Sequence, residues 1–171
     1  TLEDTIEHIQ KIMEQSDVIL FSGGVSMGDF DFVPQALGKL GFKKIFHTIA
    51  VQPGKPTLMA QKDKQYFFGL PGNPVSSFMQ CELIVKPFIY KLMGHEYKAK
   101  NAFLPLSYDY KRKKAERTSL IPVMIKDNKV IPVEYHGSAH LFAMNTAEGF
   151  IQIPQQTTLV PKDTYVTVRL F

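Results

Sequence analysis

The sequence predicts an α/β domain over residues 1–95, followed by a small β-barrel-like domain over residues 96–171. In the first part, helical stretches with one apolar face alternate with short apolar runs that are typical of strands. In the second part, short β-rich runs follow one another between turn residues. We place the boundary within "GHEYKAKN", residues 94–101, where the pattern changes.

The composition excludes several classes of protein. Hydrophobic residues make up 44% of the 171 residues, which is enough for a packed core and excludes global disorder. No basic helical face or cysteine pair indicates a nucleic-acid partner, and no apolar run approaches the roughly 18 residues that a membrane span needs. The single cysteine, Cys81, excludes an internal disulfide and fits a reducing compartment. We therefore expect a cytoplasmic protein.

The first elements follow from local signals. Residues 2–13 have the spacing of an amphipathic helix, and Thr1 and Asp4 predict a capping box at its start. "SDVILF", residues 16–21, predicts a buried strand because its apolar residues are continuous. A second helix should end at Gly41.

The later elements of this domain are a strand, a hairpin and a long helix. "KKIFHTIAV", residues 43–51, predicts a strand, and "TLMAQ" and "QYFFGL" predict a hairpin around "KDK". The helix should begin after Asn73 as its N-cap and end at Gly94. Pro87 should distort it about one turn earlier.

The β-rich part contains five predicted strand regions, and "KDNK", residues 126–129, predicts a hairpin turn. The regions are "AFLPLSYDY", "TSLIPVMI", "KVIPVEY", "GFIQIP" and "TYVTVRLF". "KRKK", residues 111–114, predicts a solvated turn.

The first motif is "SGGVSMGDFD", residues 22–31, directly after the predicted buried strand. Its three glycines allow backbone N–H groups to approach an anion, and two serines add hydroxyl donors. Neither the dinucleotide-binding nor the Walker glycine spacing is present. A ligand-binding loop and a tight structural turn both remain open from this motif alone.

The motif also contains two carboxylates, Asp29 and Asp31, which would repel a bare phosphate. They therefore argue against a loop that binds phosphate alone. Carboxylates beside an anion site indicate a bridging Mg²⁺ or a polar ring with donor groups. Helix capping is the alternative role for Asp29.

Two further turns carry polar groups. "QPGKPT", residues 52–57, holds Lys55 on a rigid turn, as an oriented cation or as an ordinary exposed lysine. "LPGNPVSS", residues 70–77, places Gly72, Asn73 and Ser76 at a helix start, where capping explains Asn73 alone. In an α/β sheet the three turns should meet at one edge and bind an extended anionic ligand.

These three motifs, in this order and spacing, resemble those of the molybdopterin molybdenumtransferases, the MoeA and gephyrin E-domain family. "EYHGSAHLFAMNTAEGFIQIP" resembles the family's C-terminal domain. The resemblance implies a partial MogA-like pterin-binding α/β/α domain followed by the C-terminal β domain. Members insert molybdenum from molybdate into adenylylated molybdopterin with Mg²⁺ and release of AMP, and act as homodimers of four-domain subunits. We expect this chain to hold two of those domains, the first incomplete, and to be inactive alone.

The resemblance also implies roles for individual residues. Asp31 falls at the family's functional aspartate, a candidate catalytic residue and Mg²⁺ ligand. The candidate pterin contacts are Ser22, Gly23, Gly24, Ser26, Gly28, Asp29, Gly72 and Asn73. The candidate molybdate contacts are Lys55, Pro56, Ser76, Arg117 and Ser138. The chain departs from many members at Thr48 and Gln52, where they have basic residues, and His47 is a candidate for replacing part of that charge.

The alternative function is a molybdopterin-binding or scaffold module without transferase activity. The same pterin-binding fold occurs in stand-alone adenylyltransferases, but the C-terminal β domain favours the transferase. His136 and His140 have a spacing that could bind zinc on a helix. Glycine and serine between them indicate a loop, and no third ligand is evident.

Overall fold

A computed structural model of the chain describes residues 1–26, 28, 31–133 and 144–171. These residues pack as two compact units. The first comprises Thr1–Ile49 and Gly54–Gln80, and the second comprises Ala50–Pro53 and Cys81–Phe171. The division of the chain at residue 95 stays a prediction.

The helices are α1 (Leu2–Met13), α2 (Val33–Lys39), α3 (Pro74–Gln80), a π-helix (Cys81–Val85) and α4 (Lys86–Leu92). The strands are β1 (Val18–Ser22), β2 (Lys43–Phe46), β3 (Val51–Gln52), β4 (Leu58–Lys62), β5 (Gln65–Leu70), β6 (Asn101–Pro105), β7 (Tyr110–Lys111), β8 (Thr118–Lys126), β9 (Lys129–Pro132), β10 (Gly149–Ile153), β11 (Leu159–Val160) and β12 (Tyr165–Leu170). None of the described helices combines the length and apolar character that crossing a membrane requires.

The first unit is built on a four-stranded sheet in the order β1-β5-β4-β2. β1 and β5 run parallel, whereas β4 pairs antiparallel with both β5 and β2. Ile9 of α1, Ala36 of α2 and Phe67 of β5 are fully buried in one apolar cluster between helices and sheet. The predicted capping box of α1 is confirmed, because Thr1 Oγ1 accepts from Asp4 N–H at 3.2 Å.

The strand predicted at residues 16–21 is present as β1, but its predicted burial and the single strand predicted at residues 43–51 are wrong. β1 is not buried throughout: Ile19 lies in the core, but Leu20 is 49% exposed because β1 is the edge strand of the described sheet. Residues 43–51 do not form one strand either. β2 pairs with β4, whereas β3 joins the other sheet by pairing with β8, so the backbone leaves the first sheet between them.

The hairpin and helix predictions are confirmed. β4 and β5 form the hairpin, with Asp63 at a φ of 51° in its turn. The helical run from Pro74 changes to π-helical geometry over Cys81–Val85, one turn before Pro87, as the missing proline N–H requires. α4 ends before Gly94, which has a φ of 79°.

The second unit contains a sheet in the order β3-β8-β10-β12-β6, with β9 also paired to β8. Asp127 and Asn128, both at positive φ, make the predicted two-residue turn between β8 and β9. The two ends of the sheet approach each other at one bridge between Leu106 and Val130, where Ser107 N–H also donates to Val130 O at 2.9 Å. This contact makes the unit barrel-like, as predicted, although the described strands do not form a closed sheet.

Candidate functional site

The three polar turns lie at one edge of the first sheet, as the sequence predicts. β1 and β5 are parallel, so the turns that follow them emerge together. β4 runs antiparallel to β5, and its first residue, Leu58, pairs with Gly69 near the end of β5. The turn before β4 therefore starts at the same edge. We call these turns the glycine loop (residues 22–31), the Lys55 turn (residues 54–57) and the Asn73 turn (residues 70–77).

Direct hydrogen bonds join the glycine loop to the Asn73 turn. Gly23 N–H donates to Leu70 O at 3.0 Å. Pro71 O accepts from the hydroxyls of Ser22, at 3.3 Å, and Ser77, at 2.9 Å, and these two hydroxyls lie 3.4 Å apart. The two predicted binding loops thus form one surface.

Glycine is required where the two loops meet. Gly23 has a φ of 90°, which side-chain-bearing residues rarely adopt. A Cβ on Gly72 would lie 3.5 Å from Gly23 Cα, so the backbones approach closely. That a ligand approaches the backbone at these glycines stays a prediction.

Asp31 folds back onto the glycine loop. Its Oδ2 accepts from Gly28 N–H at 2.9 Å, and its own N–H donates to Gly28 O at 3.0 Å. A Cβ on Gly28 would lie 3.1 Å from the same Oδ2, so the glycine makes room for the carboxylate. Among the described residues Oδ1 has no hydrogen-bond partner. One oxygen of Asp31 therefore orders the loop.

The other carboxylate of the loop, Asp29, lies outside the described residues. α2 begins at Val33 with Phe32 at its N-cap and without a side-chain capping bond. Ser26, the remaining candidate in this loop, is exposed.

The Lys55 turn holds its backbone rigidly and leaves the lysine exposed. Lys55 O accepts from Ile49 N–H at 3.0 Å and from Thr57 N–H at 2.9 Å. Thr57 is fully buried, and its hydroxyl donates to Gly54 O at 2.7 Å. Lys55 Nζ forms no ion pair with any residue that the structure describes. Lys55 as an oriented cation stays a prediction, and so does the role of Pro56, which follows it in the chain.

The Asn73 turn combines capping with polar groups. Asn73 Oδ1 accepts from Ser76 N–H at 3.0 Å, which confirms Asn73 as the N-cap of α3. The amide NH₂ of Asn73 is not needed for this cap. Ser76 is buried, with 4% exposure, so its hydroxyl lies beneath the surface.

Sequence reasoning did not predict how Ser77 and His47 organise this edge. Ser77 joins the two loops through the bonds described above, and its only sequence signal is its place four residues after Asn73 on the same helix face. His47 Nε2 donates to Val25 O at 2.8 Å, which ties the end of β2 to the glycine loop. Whether His47 replaces part of the charge absent at Thr48 and Gln52 is not tested by this bond and stays a prediction.

The remaining candidates belong to the second unit or to undescribed segments. Arg117 is partly buried, its carbonyl accepts from Arg112 Nη1 at 2.7 Å, and its guanidinium has no partner among the described residues. Ser138, like His136 and His140, lies outside the described residues.

A separate groove of about 600 Å³ lies along β2, lined by Lys43, Lys44 and Lys62 among others. β2 is an edge strand, and lysines on edge strands commonly prevent association with other strands. Within the described part of the chain, no cluster of three histidine, cysteine or acidic side chains could hold a metal by itself.

Family models match both parts of the chain. Residues 1–91 match the "Probable molybdopterin binding domain" and residues 105–171 match the "MoeA C-terminal region (domain IV)". A molybdopterin molybdenumtransferase of Staphylococcus epidermidis is 41% identical over 93 residues, which are 54% of this chain and 22% of that protein. The enzyme of the same name from Staphylococcus aureus is 38% identical over the same shares.

Solved structures agree with these matches. The molybdopterin biosynthesis MoeA protein of Pyrococcus horikoshii superposes with a TM-score of 0.82 and 28% identity, over 96% of this chain and 40% of that one. A molybdenum cofactor biosynthesis protein of Pyrococcus furiosus, at 21% identity and a TM-score of 0.74, shows the same fold over 95% of this chain and 52% of its own. The match of 93 residues spans about a fifth of the length of the curated relatives.

Proposed function

Because the chain belongs to the MoeA family of molybdopterin molybdenumtransferases, we propose that the protein containing it inserts molybdenum from molybdate into adenylylated molybdopterin and releases AMP. The observation that carries the proposal is the convergence of the three turns at one sheet edge. Glycine backbone, serine hydroxyls and an exposed lysine form a surface rich in donors there. Such a surface suits an extended anionic substrate.

The pterin substrate is assigned to the joined glycine loop and Asn73 turn. Gly23, Gly24 and Gly72 allow the substrate to approach the backbone, and Ser22 and Asn73 supply side-chain donors. The hydroxyl of Ser22 donates to Pro71 O in a long hydrogen bond. Ser22 would therefore bind the substrate either by accepting a hydrogen bond or by donating to the substrate in place of Pro71 O.

Molybdate is a tetrahedral dianion, and cationic and hydroxyl donors would bind it. Lys55 is assigned to it because its ammonium group has no ion-pair partner among the described residues and its turn has a fixed backbone. Arg117 is assigned to it because its guanidinium has no other partner among the described residues. We add Pro56, Ser76 and Ser138 from the family resemblance.

The donor groups fit a Mg²⁺ ion that is shared between the protein and the substrate, and they do not fit an ion that protein ligands alone surround. Among the described residues of the glycine loop, Asp31 supplies one carboxylate oxygen without a hydrogen-bond partner, and the described residues offer no cluster of three ligands. Mg²⁺ commonly uses one or two carboxylates together with substrate phosphates and water. When bound, the ion would neutralise phosphate charge during adenylate hydrolysis. Asp31 would hold it while its second oxygen keeps the loop ordered.

The localisation, oligomeric state and partners are proposed for the whole protein that contains this chain. We infer a cytoplasmic homodimer, in keeping with the family resemblance, with neither nucleic acid nor membrane as a partner. The match of residues 105–171 to the MoeA C-terminal region favours the transferase over a stand-alone adenylyltransferase. A scaffold module without transferase activity remains the alternative.

The test is an insertion assay with the full-length protein, adenylylated molybdopterin, molybdate and Mg²⁺. We expect molybdenum cofactor and AMP to form together, and Asp31→Ala to lose both. Binding of molybdopterin without AMP release in the wild-type protein would instead support the scaffold alternative.

A further inference from the structure

Arg112, which follows β7, has a half-buried guanidinium that donates to four acceptors. Nε donates to Thr157 O at 2.7 Å, and Nη1 donates to Arg117 O at 2.7 Å and Ser119 Oγ at 2.6 Å. Nη2 donates to Pro154 O. All four acceptors are carbonyls or a hydroxyl, so no carboxylate neutralises this guanidinium among the described residues. Within the predicted solvated run "KRKK", Arg112 is therefore an exception.

Backbone bonds complete the anchoring of the segment from Arg112 to Arg117. Arg112 N–H donates to Thr158 O at 2.9 Å, and Gln156 N–H donates to Ala115 O at 2.7 Å. β7 and β11 pair just before this segment. These bonds hold residues 112–117 against residues 154–158. The Arg112 side chain reaches Arg117, the last residue of the segment.

Arg117 has the opposite character. Its backbone is fixed, since its carbonyl binds Arg112 and the next N–H, of Thr118, donates to Ala50 O at 2.9 Å. Thr118 also pairs with Val51 of β3, the strand through which the chain enters the Lys55 turn. The guanidinium of Arg117, however, has no partner within the described part of the chain. Among the described residues nothing competes with an anion for this guanidinium, and the fixed backbone limits the positions that it can reach.

We propose that Arg112 is a positioning residue that fixes the backbone at Arg117, so that the free guanidinium of Arg117 meets the molybdate. This inference rests on the proposed function, because it takes Arg117 as an oxyanion ligand. Lysine at position 112 would keep the positive charge, but it has no planar fork of donors. It could not hold the carbonyls of Pro154, Thr157 and Arg117 together.

The test is a double-mutant cycle on the KM for molybdate, measured in the insertion assay with the full-length protein. We expect Arg112→Lys to raise this KM about tenfold, because small misplacements of a ligand group weaken binding strongly. In an Arg117→Gln background, Arg112→Lys should raise it no further, because its effect passes through Arg117. An equal rise in both backgrounds would overturn the proposal, whereas an inactive wild-type protein would overturn the proposed function instead.

Arg169→Lys is the matched control. Arg169 lies in the same unit, donates to Glu82 O at 2.5 Å, and stacks over the rings of Tyr97 and Phe150. Its replacement should lower the melting temperature and leave the KM for molybdate unchanged. If Arg169→Lys raises that KM as much as Arg112→Lys does, the effect of Arg112 is general destabilisation and the proposal fails.

Discussion

Replacing Gly54 by alanine places a methyl group where the Lys55 turn has no room for one. Gly54 has a φ of 107°, and an added Cβ would lie 2.7 Å from Cδ of the fully buried Gln80. The backbone conformation costs an alanine about 1–3 kcal/mol, and a displaced Gln80 rotamer adds about 0.5–1.5 kcal/mol. We expect a loss of about 1.5–4.5 kcal/mol in the free energy of unfolding.

The measurement is urea denaturation followed by circular dichroism, with Gly38→Ala as the matched control. Gly38 lies in α2, and no atom lies within 4 Å of a Cβ added there. Alanine should stabilise this helix by about 0.5–1 kcal/mol. A Gly54→Ala protein as stable as the wild type, or indistinguishable from Gly38→Ala, would refute the described geometry of the turn.

Three further predictions follow. Burial raises the pKa of Tyr108 to about 12, whereas the ordinary pKa of a tyrosine in an unfolded chain is near 10. Between these two pH values the phenol stays protonated in the folded protein and loses its proton in the unfolded chain. Stability should therefore be insensitive to this group below pH 10 and fall between about pH 10 and pH 12, and urea titrations should show a smaller fall in Tyr108→Phe. Asp31→Asn keeps an oxygen for Gly28 N–H but removes the charge, so the melting temperature should change little while insertion by the full-length protein falls about a hundredfold or more. Ser77→Ala removes the bond to Pro71 O and should cost about 1 kcal/mol in urea denaturation; an unchanged stability would deny Ser77 its role in joining the loops.

Local signals predicted a large part of the fold. The capping box of Thr1 and Asp4, and the two-residue turn at Asp127 and Asn128, depend only on neighbouring residues and are confirmed. The convergence of the three turns was also predictable, because it follows from strand direction in an α/β sheet.

Long-range pairing was not predictable in the same way. Residues 43–51 have strand propensity throughout, but β2 and β3 pair with different sheets, which no local pattern specifies. The continuous apolar run of β1 likewise indicated burial, yet Leu20 lies on the open face of an edge strand. The hydrogen bonds of side chains within loops were not predictable either, because no local sequence pattern specifies them. Examples are the bonds between Asp31 and Gly28 and between Arg112 and Arg117.

The most direct test is complementation of a molybdenumtransferase-deficient host with the full-length gene. We expect the wild-type gene to restore molybdenum-enzyme activity and the Asp31→Ala gene to fail at equal levels of folded protein. Restoration by both genes would contradict the assigned role of Asp31 and of the glycine loop, and restoration by neither would contradict the proposed transferase function.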